Sequence, residues 1–449
     1  MIRMFKTGDE AVRWIHSRKK FGSRPGLIRV NELLKLCGHP EKNTIGIHIA
    51  GTNGKGSTVT YLRCLLEMQK LAVGTFTSPY IESFYERISI NGKAISAEEF
   101  VQLANEFRPL VDSMDEDTRY QGITEFEILT AMAFSYFQKH ADIAIFEAGI
   151  GGKWDSTNVF IPILTAITTI GLDHTDILGE TEEEIALQKA GIIKKNIPIV
   201  TGNISQNAVK IIEEVASKKN APLSKKNTSY QVHYVKQSPE SHSPKDSLSG
   251  EMFHFENEDF QFLNLRIPLC GKYQVENAAT ALQLFLLYCQ QQNKAIQKES
   301  IQKALEKARW PGRMEKISSQ PTIIIDGAHN PHAIKEFVDT VTEKFQQGKK
   351  YILFSALTTK NSRKMIRQMQ QIPNNCLIIT TFDYPKALKK EDLVRENSQF
   401  KYYQEWQQGI KEIVAKMGSK DTLFITGSLY FVSQVRTYLL DDRRCLEGI

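Results

Sequence analysis

Cysteine is scarce in this sequence, and its spacing argues against two kinds of site. None of the six cysteines in 449 residues belongs to a Cys-x-x-Cys pair or lies beside histidines spaced as metal ligands. A disulfide framework is dense in cysteine and a structural zinc site needs closely spaced ligands, so we expect neither. We interpret the cysteines as reduced thiols. They are Cys37, Cys64, Cys270, Cys289, Cys376 and Cys445.

Long hydrophobic runs and a strong excess of one charge are also missing. Residues 1–10 contain no apolar core of a signal peptide, and runs such as 284–289 are too short to span a bilayer. The net charge of +6 comes from scattered Lys and Arg residues. It would suit an anionic substrate, although an unspecialised solvated surface is the simpler account. We therefore expect a cytoplasmic protein that binds neither membranes nor nucleic acid.

A glycine-rich segment with one lysine is the most informative feature that is present. It lies between a β-rich run, 45–50, and a helical pattern, 59–69, and reads Gly51-Thr52-Asn53-Gly54-Lys55-Gly56-Ser57-Thr58. Such a segment presents backbone N–H groups and a helix N-terminus to phosphate. Lys55 would reach the terminal phosphates, and Ser57 or Thr58 a magnesium ion. The spacing, G-x-x-G-K-G-S, is two residues shorter before Gly-Lys than the common G-x-x-x-x-G-K-[ST] pattern. A glycine-rich turn without a ligand is the alternative.

Strand-like runs and helical patterns alternate along the chain. In the first part the strands are predicted at 45–50, 143–147, 165–170 and 197–201, and the helices at 58–69, 126–138, 181–190 and 207–218. After Trp310-Pro311-Gly312-Arg313, strands are predicted at 322–326, 351–355, 376–380 and 422–426. Between these series, polar composition predicts an exposed loop at 237–258 and alternation predicts a strand at 260–267.

This alternation predicts an α/β fold in two parts. The first is a P-loop ATPase-like domain with a mostly parallel sheet and a small β-element, at 1–308. The second is a smaller C-terminal α/β Rossmann-like domain, at 313–449. Pro311 and Gly312 make 309–312 a plausible hinge.

Polar residues follow several predicted strands, at the ends where open α/β sheets bind ligands. Glu147 ends one strand and is followed by three glycines in five residues, so either a turn or a close ligand accounts for it. Asp173, His174 and Asp176 follow the next strand and offer metal ligands, although a lone histidine is more often structural.

Two further groups of polar residues are ambiguous on pattern alone. Asp326 and His329 end and follow the strand 322–326, and Arg313 could approach the same cleft, but turn chemistry explains these residue types equally well. Lys189 lies near a predicted helix end, where spacing alone favours a solvated lysine stabilised by the helix dipole.

Together these segments resemble the folylpolyglutamate synthase family, which includes the bifunctional dihydrofolate synthases and belongs with the Mur-type amide ligases. The resemblance extends from Gly26 to Tyr430, nearly the whole chain. The matching segments are 51–57, 77–79, 86–88, 124–127, 147–158, 172–175, 189–192, 310–313 and 326–330.

The resemblance implies an ATP-dependent ligase that joins L-glutamate to a folate carboxylate through an acyl phosphate. Tetrahydrofolate would be extended, and dihydropteroate is a second candidate substrate. ATP and Mg²⁺ would be required, and a monovalent cation is a further candidate. The chain would act as a monomer.

The family's site residues transfer to this sequence by position. For ATP they are Gly51, Thr52, Asn53, Gly54, Lys55, Gly56, Ser57, Asn277, Arg313 and Asp326. For the folate they are Gly26, Leu27, Ile28, Arg29, Thr124, Phe126, Trp154 and Asp155. For magnesium they are Ser57, Ser78, Glu147 and His174. Catalysis would involve Lys55, Lys189 and His329, with Lys189 carbamylated to a metal-binding carboxylate and His329 contacting glutamate or the intermediate.

Three segments depart from the family pattern. Gly151-Gly152-Lys153-Trp154-Asp155 replaces Gly-Gly-Arg-Leu-Asp, Tyr273-Gln274 replaces His-Gln, and Thr359-Lys360-Asn361 replaces Asp-Lys-Asp. Two other interpretations stay open at this point. One is a Mur-type ligase for another acidic substrate, and the other is a nucleotide-binding regulatory protein without ligase activity.

Overall fold

The computed structural model describes residues 4–19, 26–235, 248, 250–392 and 400–441. By internal contacts the chain divides into two compact units. The first comprises Met1–Val232, Phe255–Leu263 and Glu276–Ala308, and the second comprises His233–His254, Asn264–Val275 and Arg309–Ile449. The domain limits at 1–308 and 313–449 stay a prediction.

The first unit is built on a sheet to which eight strands of the described chain contribute. They are β1 (Gly46–Ala50), β2 (Val73–Phe76), β3 (Ile88–Ile90), β4 (Lys93–Ala94), β5 (Ile143–Glu147), β6 (Leu164–Ile167), β7 (Ile199–Thr201) and β8 (Leu223–Lys225). Their order is β4-β3-β2-β5-β1-β6-β7-β8. Neighbours from β2 to β8 are parallel, whereas β3 and β4 extend one edge in antiparallel fashion. The prediction of a mostly parallel sheet is confirmed.

Helices cover this sheet. They are α1 (Gly8–His16), α2 (Ile28–Leu36), α3 (Lys55–Glu67), α4 (Ala97–Glu116), α5 (Glu125–His140), α6 (Thr175–Leu178), α7 (Glu182–Lys189), α8 (Gln206–Lys218), α9 (Lys272–Gln291) and α10 (Lys298–Glu306). Capping boxes begin α4, α5 and α7, where Ser96, Thr124 and Thr181 each pair with a glutamate three residues on.

Two apolar clusters pack against the sheet. One joins α1, α2, α4 and α5 to the strands through aromatic contacts such as the stacked rings of Phe134 and Phe146, 4.1 Å apart. The other joins α7 and α8 to β6 and β7 through residues such as Ile185, Ile212 and Ile199. Both clusters pack the helices onto the strands whose ends carry the predicted site residues.

A small sheet contains β9 (Tyr230–Tyr234), β10 (Glu251–Asn257) and β11 (Gln261–Ile267), in the order β11-β10-β9. The predicted strand at 260–267 is confirmed, but the loop predicted at 237–258 is wrong over β10. Phe253 and Phe255 are buried there with His254 between them. Buried and more exposed side chains therefore alternate as in a strand, although the composition is mostly polar. Residues 237–247 and 249 of that predicted loop lie outside the described residues.

The second unit has a sheet to which six strands of the described chain contribute. They are β12 (Glu315–Ser319), β13 (Thr322–Asp326), β14 (Lys350–Ser355), β15 (Asn375–Thr380), β16 (Lys401–Tyr403) and β17 (Thr422–Gly427), in the order β12-β13-β17-β14-β15-β16. Only β12 is antiparallel to its neighbour within these strands. The helices are α11 (Pro331–Lys344), α12 (Ser362–Met369), α13 (Trp406–Val414) and α14 (Leu429–Asp441). The predicted α/β class is confirmed for both units.

No helix in the described part of the chain combines the length and the apolar character needed to cross a bilayer.

Candidate active site

The glycine-rich segment lies where β1 ends and α3 begins. Lys55 is the first residue of α3, so the N–H groups of its first turn have no partners within the helix. Gly54 has a φ of 84°, and a Cβ at this position would overlap the side-chain oxygen of Asn277. Glycine is therefore required by both backbone conformation and space. The contact brings Asn277 of α9 to the loop for which an ATP role is predicted.

Two threonines after β6 hold the loop, and sequence reasoning did not identify them. The backbone N–H of Asn53 donates to Thr169 Oγ1 at 2.9 Å. The hydroxyls of Thr168 and Thr169 donate to the Asn53 carbonyl at 2.6 and 3.0 Å. The sequence signal that could have identified them is their position directly after a buried parallel strand. These bonds fix the backbone beside the predicted phosphate-binding residues.

Lys55 and Glu147 are close to each other at the ends of their elements. Lys55 Nζ donates to the carbonyl of Gly51 at 3.1 Å and lies 3.8 Å from Glu147 Oε1. Glu147, which is 4% exposed, accepts a hydrogen bond from the backbone N–H of Ser78 at 3.3 Å. The structure thus brings together three predicted residues, one for ATP and two for magnesium.

Lys189 ends α7 and is 2% exposed, so the solvated lysine favoured by spacing alone is wrong. Burial, together with the nearby Lys55 ammonium, lowers the pKa of Lys189 from 10.5 to about 7, against the opposing effect of Asp173 and Asp155. A Cβ on Gly152 would lie 2.8 Å from the Lys189 carbonyl, which explains the glycine. An amine with this pKa is substantially neutral near pH 7.

The predicted magnesium residues offer few protein ligands. His174 has a φ of 50° and its N–H donates to Asp173 Oδ1 at 2.9 Å, immediately before α6. Within the described ranges, no group of three or more His, Cys, Asp or Glu side chains is arranged to hold a metal ion. Magnesium commonly uses one or two carboxylates together with substrate phosphates, so Glu147 and the hydroxyls of the loop fit an ion that binds with ATP. The buried hydroxyl of Thr58, which has no hydrogen-bond partner among the described residues, agrees with this.

Among the predicted folate residues, Arg29 and Thr124 share one partner. The Thr124 N–H and hydroxyl both donate to Glu127 Oε2 at 2.8 Å. Arg29 Nε donates to both carboxylate oxygens of Glu127 at 3.1 Å. Glu127 therefore fixes the start of α5 and the start of α2 together. Gly26 and Leu27 are half-buried, whereas Ile28 is 69% exposed.

The other predicted folate residues lie around the glycine turn after β5. A Cβ on Gly149 would lie 2.8 Å from the ring of Phe126 and 3.3 Å from Asp155 Oδ2. Asp155 is buried and accepts the Ile150 N–H at 2.8 Å, and burial raises the pKa of its carboxyl. Trp154 is half-exposed, with the Lys153 ammonium 4.9 Å from its ring centre. Asp155 thus supports the turn, and Trp154 presents an aromatic surface.

In the second unit, Asp326 organises the end of β13. Its carboxylate accepts the N–H groups of Met314 and Ala328, both at 2.9 Å. Burial raises the pKa of Asp326, and the neighbouring Arg313 guanidinium opposes the shift. His329 Nδ1 lies 2.8 Å from the carbonyl of Gly327. The predicted residues Arg313, Asp326 and His329 therefore lie close together around the end of β13 in this unit.

Two parts of the chain match Mur ligase domains. Residues 49–285 match the Mur ligase middle domain, and residues 312–429 match the Mur ligase glutamate ligase domain. The glycine-rich segment at 51–58 falls in the first match, and Asp326 falls in the second. The fold and these two matches therefore define a Mur-type ligase.

More specific similarities extend over nearly the full length. The dihydrofolate synthase/folylpolyglutamate synthase of Bacillus subtilis (strain 168) is 41% identical over 441 residues, covering 97% of this chain and 100% of the relative. A solved structure, an FPGS-AMPPCP-folate complex, is 32% identical with a TM-score of 0.84, covering 96% of this chain and 99% of that one. The Mycobacterium tuberculosis folylpolyglutamate synthase complexed with ADP is 26% identical with a TM-score of 0.87, covering 96% and 98%. The chain belongs to the dihydrofolate synthase/folylpolyglutamate synthase family, as the motifs predicted.

Proposed function

We propose that the protein joins L-glutamate to a carboxylate of a folate and converts ATP to ADP and phosphate in the same reaction. The family is one of ATP-dependent ligases. The observation that carries the assignment is the arrangement at the phosphate loop, where Lys55 lies 3.8 Å from Glu147 and the backbone of Ser78 is bound to the same carboxylate. In this proposal Lys55 is the cation that binds the phosphate of ATP, and Glu147 is the carboxylate that binds the accompanying magnesium ion.

The first step transfers the γ-phosphoryl group to the folate. A carboxylate oxygen of the folate attacks the γ-phosphorus, and the bond from this phosphorus to the β,γ-bridging oxygen breaks. ADP is the leaving group, and the folate becomes an acyl phosphate. Negative charge shifts onto the bridging oxygen as ADP leaves, and in this proposal Lys55 and the N–H groups at the start of α3 stabilise it.

The second step forms the amide. The glutamate amine attacks the acyl carbon, a tetrahedral intermediate forms, and the carbon–oxygen bond to phosphate breaks as the amine loses a proton. His329 is the proposed contact for glutamate or the intermediate in this step, whereas Arg313 and Asp326, together with Asn277, are proposed to bind ATP. Exclusion of water would protect the acyl phosphate from hydrolysis.

Magnesium would be held by Ser57, Ser78, Glu147 and His174, and when bound it supplies positive charge that neutralises phosphate oxygens. Lys189 would join them as a carbamate. Its neutral amine would attack CO₂ and lose a proton, which gives an N-carboxylate, and the lowered pKa favours the neutral amine. A monovalent cation, a monomeric state and a cytoplasmic location also belong to this proposal.

The folate would lie along Gly26 to Arg29, Thr124, Phe126, Trp154 and Asp155. Arg29 is already paired with Glu127, so it would contribute mainly by holding the start of α5. Trp154 offers a flat apolar face for an aromatic ring. Tetrahydrofolate is the primary proposed acceptor, and dihydropteroate is the second.

Product mass spectrometry tests the proposal. The purified protein is supplied with ATP, Mg²⁺ and L-glutamate, and separately with tetrahydrofolate or dihydropteroate. We expect a glutamyl unit on tetrahydrofolate, with one ADP released for each amide formed. Addition to dihydropteroate as well would assign both family reactions.

Two outcomes would overturn the proposal. Glutamate-dependent ADP release with another acidic acceptor and none with folates would assign a different Mur-type substrate. ATP binding without ADP release for any of these acceptors would assign a nucleotide-binding protein without ligase activity.

A further inference from the structure

Glu125 is a buried carboxylate between two proposed folate residues, Thr124 and Phe126, and the proposed mechanism does not use it. Its side chain is 3% exposed, and it is the first residue of α5. Its backbone N–H donates to the carbonyl of Lys19 at 3.0 Å. Burying a carboxylate costs free energy unless cations or hydrogen-bond donors compensate its charge. The neighbours of Glu125 therefore indicate what its side chain does.

Arg87 forms an ion pair with Glu125. Its guanidinium nitrogen lies 3.3 Å from Glu125 Oε1, and its side chain is only 9% exposed. The guanidinium carbon lies 5.3 Å from the ring centre of Tyr80 and 5.4 Å from that of Phe84, within range of cation–π attraction. His16 of α1 binds the other oxygen, Oε2, at 3.1 Å. The start of α5 is thus tied through one carboxylate to two other segments.

Arg87 is also linked by its backbone to the segment that carries Ser78. The Arg87 carbonyl accepts the N–H of Thr77 at 3.1 Å. Ser78 follows directly, and its N–H donates to Glu147 at 3.3 Å. One residue therefore joins the proposed folate end of α5 to the segment that contacts the proposed magnesium carboxylate.

We propose that the Arg87–Glu125 pair is a positioning element that sets the start of α5, and with it Thr124 and Phe126, relative to the segment carrying Ser78. This rests on the proposed function, because it assigns the pair to folate binding. It gives a role to Arg87, a buried arginine that the proposed site leaves unused.

Conservative substitutions test positioning without abolishing the fold. Arg87→Lys keeps the charge but loses the planar fork and the stacking on two rings. Glu125→Gln keeps the shape but loses the charge that compensates Arg87. Arg108→Lys is the matched control, because Arg108 also lies near a carboxylate, Asp112, at 3.7 Å, and 4.6 Å from an aromatic ring centre, that of Phe5. Asp112 and Phe5 lie outside α5.

Steady-state kinetics with tetrahydrofolate give the first readout. We expect Arg87→Lys and Glu125→Gln to raise the KM for folate about tenfold and to leave the KM for ATP within about twofold. Arg108→Lys should leave both constants unchanged. A fall in kcat with both KM values unchanged would mean that the pair does not act on folate binding, and it would overturn the proposal.

Amide hydrogen exchange gives a second readout that needs no turnover. In the wild-type protein the N–H groups of Glu125 and Glu127 are both hydrogen-bonded, to Lys19 and to Thr124. We expect faster exchange in peptides covering 124–128 in Arg87→Lys and Glu125→Gln, and wild-type exchange there in Arg108→Lys. If the wild-type protein does not turn over folate, the proposed function fails, yet this measurement still decides on positioning. Unchanged exchange in both variants would overturn it.

Discussion

At the end of β1 the chain turns through glycine into a helix that begins with Lys55, and at the end of β13 it turns through Gly327 into a helix capped by Asn330. The two turns follow parallel strands in separate sheets. At β13 the N–H groups of Met314 and Ala328 are taken by the Asp326 carboxylate, and that of Ala333 by Asn330. At β1, among the described side chains, none caps α3.

The difference shows how one backbone arrangement supports two tasks. A strand-to-helix turn presents N–H groups that attract an anion. In the second unit the chain supplies the anion itself, so the turn is complete and can hold Arg313 and His329 in place. In the first unit no side chain of the described residues caps the start of α3, which agrees with the proposed binding of phosphate there.

Replacing Lys55 should have the largest effect. Lys55→Met removes the cation that the first turn presents to phosphate, and we expect kcat to fall about 10²-fold to 10³-fold. The melting temperature, measured in parallel, should stay close to that of the wild type. A kcat within tenfold of the wild type would contradict the phosphate role of the loop.

Replacing Asp326 should have the next largest effect. Asp326→Asn leaves one of two backbone N–H groups facing an amide NH₂, and it removes the charge beside Arg313, so we expect turnover to fall about tenfold or more. Asp421→Asn is the matched control, because Asp421 also accepts two backbone N–H groups, from Lys349 and Gly418, both at 2.8 Å. Equal losses of turnover in both variants would mean that Asp326 contributes only to stability.

Loosening the loop should have a smaller effect. Thr169→Val removes two hydrogen bonds to Asn53 at nearly constant volume, and we expect the KM for ATP to rise about fivefold to tenfold because the loop must then be ordered by the nucleotide. Thr165→Val, in β6, loses a hydroxyl bond to Pro198 instead and serves as the control. A KM for ATP that rises equally in both variants would remove Thr169 from the nucleotide site.

The smallest effect should appear in stability alone. β1 has His48 at its centre, bound to Thr157 at 2.8 Å, where β13 has isoleucine. Burial, and then the nearby Lys194, lower the pKa of His48 from 6.5 to about 3. The unfolded chain is protonated below pH 6.5 and the folded one is not, so stability is lost as the pH falls from 6.5 to 3.

Urea unfolding measures this loss. Between pH 7 and pH 5 the wild type should lose about 2 kcal/mol more than His48→Asn, which cannot titrate. Every other ionisable group is shared by the two proteins. An identical pH dependence of the two unfolding midpoints would contradict the shifted pKa of His48.

The fold could be predicted where sequence pattern and local structure agree. The predicted strands 143–147 and 322–326 have the limits that the structure gives, because buried parallel strands are continuous apolar runs and a carboxylate marks the end of each of these two. β10 was missed because its polar residues mask the alternation of Phe253 and Phe255. Pattern alone therefore found the central strands more readily than the mixed ones.

The sequence could predict which segments contribute to the candidate site. It could not predict which side chains contact each other there. Burial of Lys189 could not be read from its spacing, because it results from the turn at Gly152 packing against the end of α7. Thr168 and Thr169 escaped notice because their partner, Asn53, lies more than 100 residues away in sequence. The roles assigned to the site residues stay predictions.

Trp154 also has an optical consequence. The chain has four tryptophans, and Trp154 is half-exposed while Trp406 is 7% exposed. An indole in water emits at longer wavelength than one covered by an aromatic ring, and a pterin stacked on it would quench the emission. The protein thus contains its own fluorophore at the proposed folate site, and Trp154→Phe would identify the part of the signal that comes from it. Substrate occupancy could then be followed without a label.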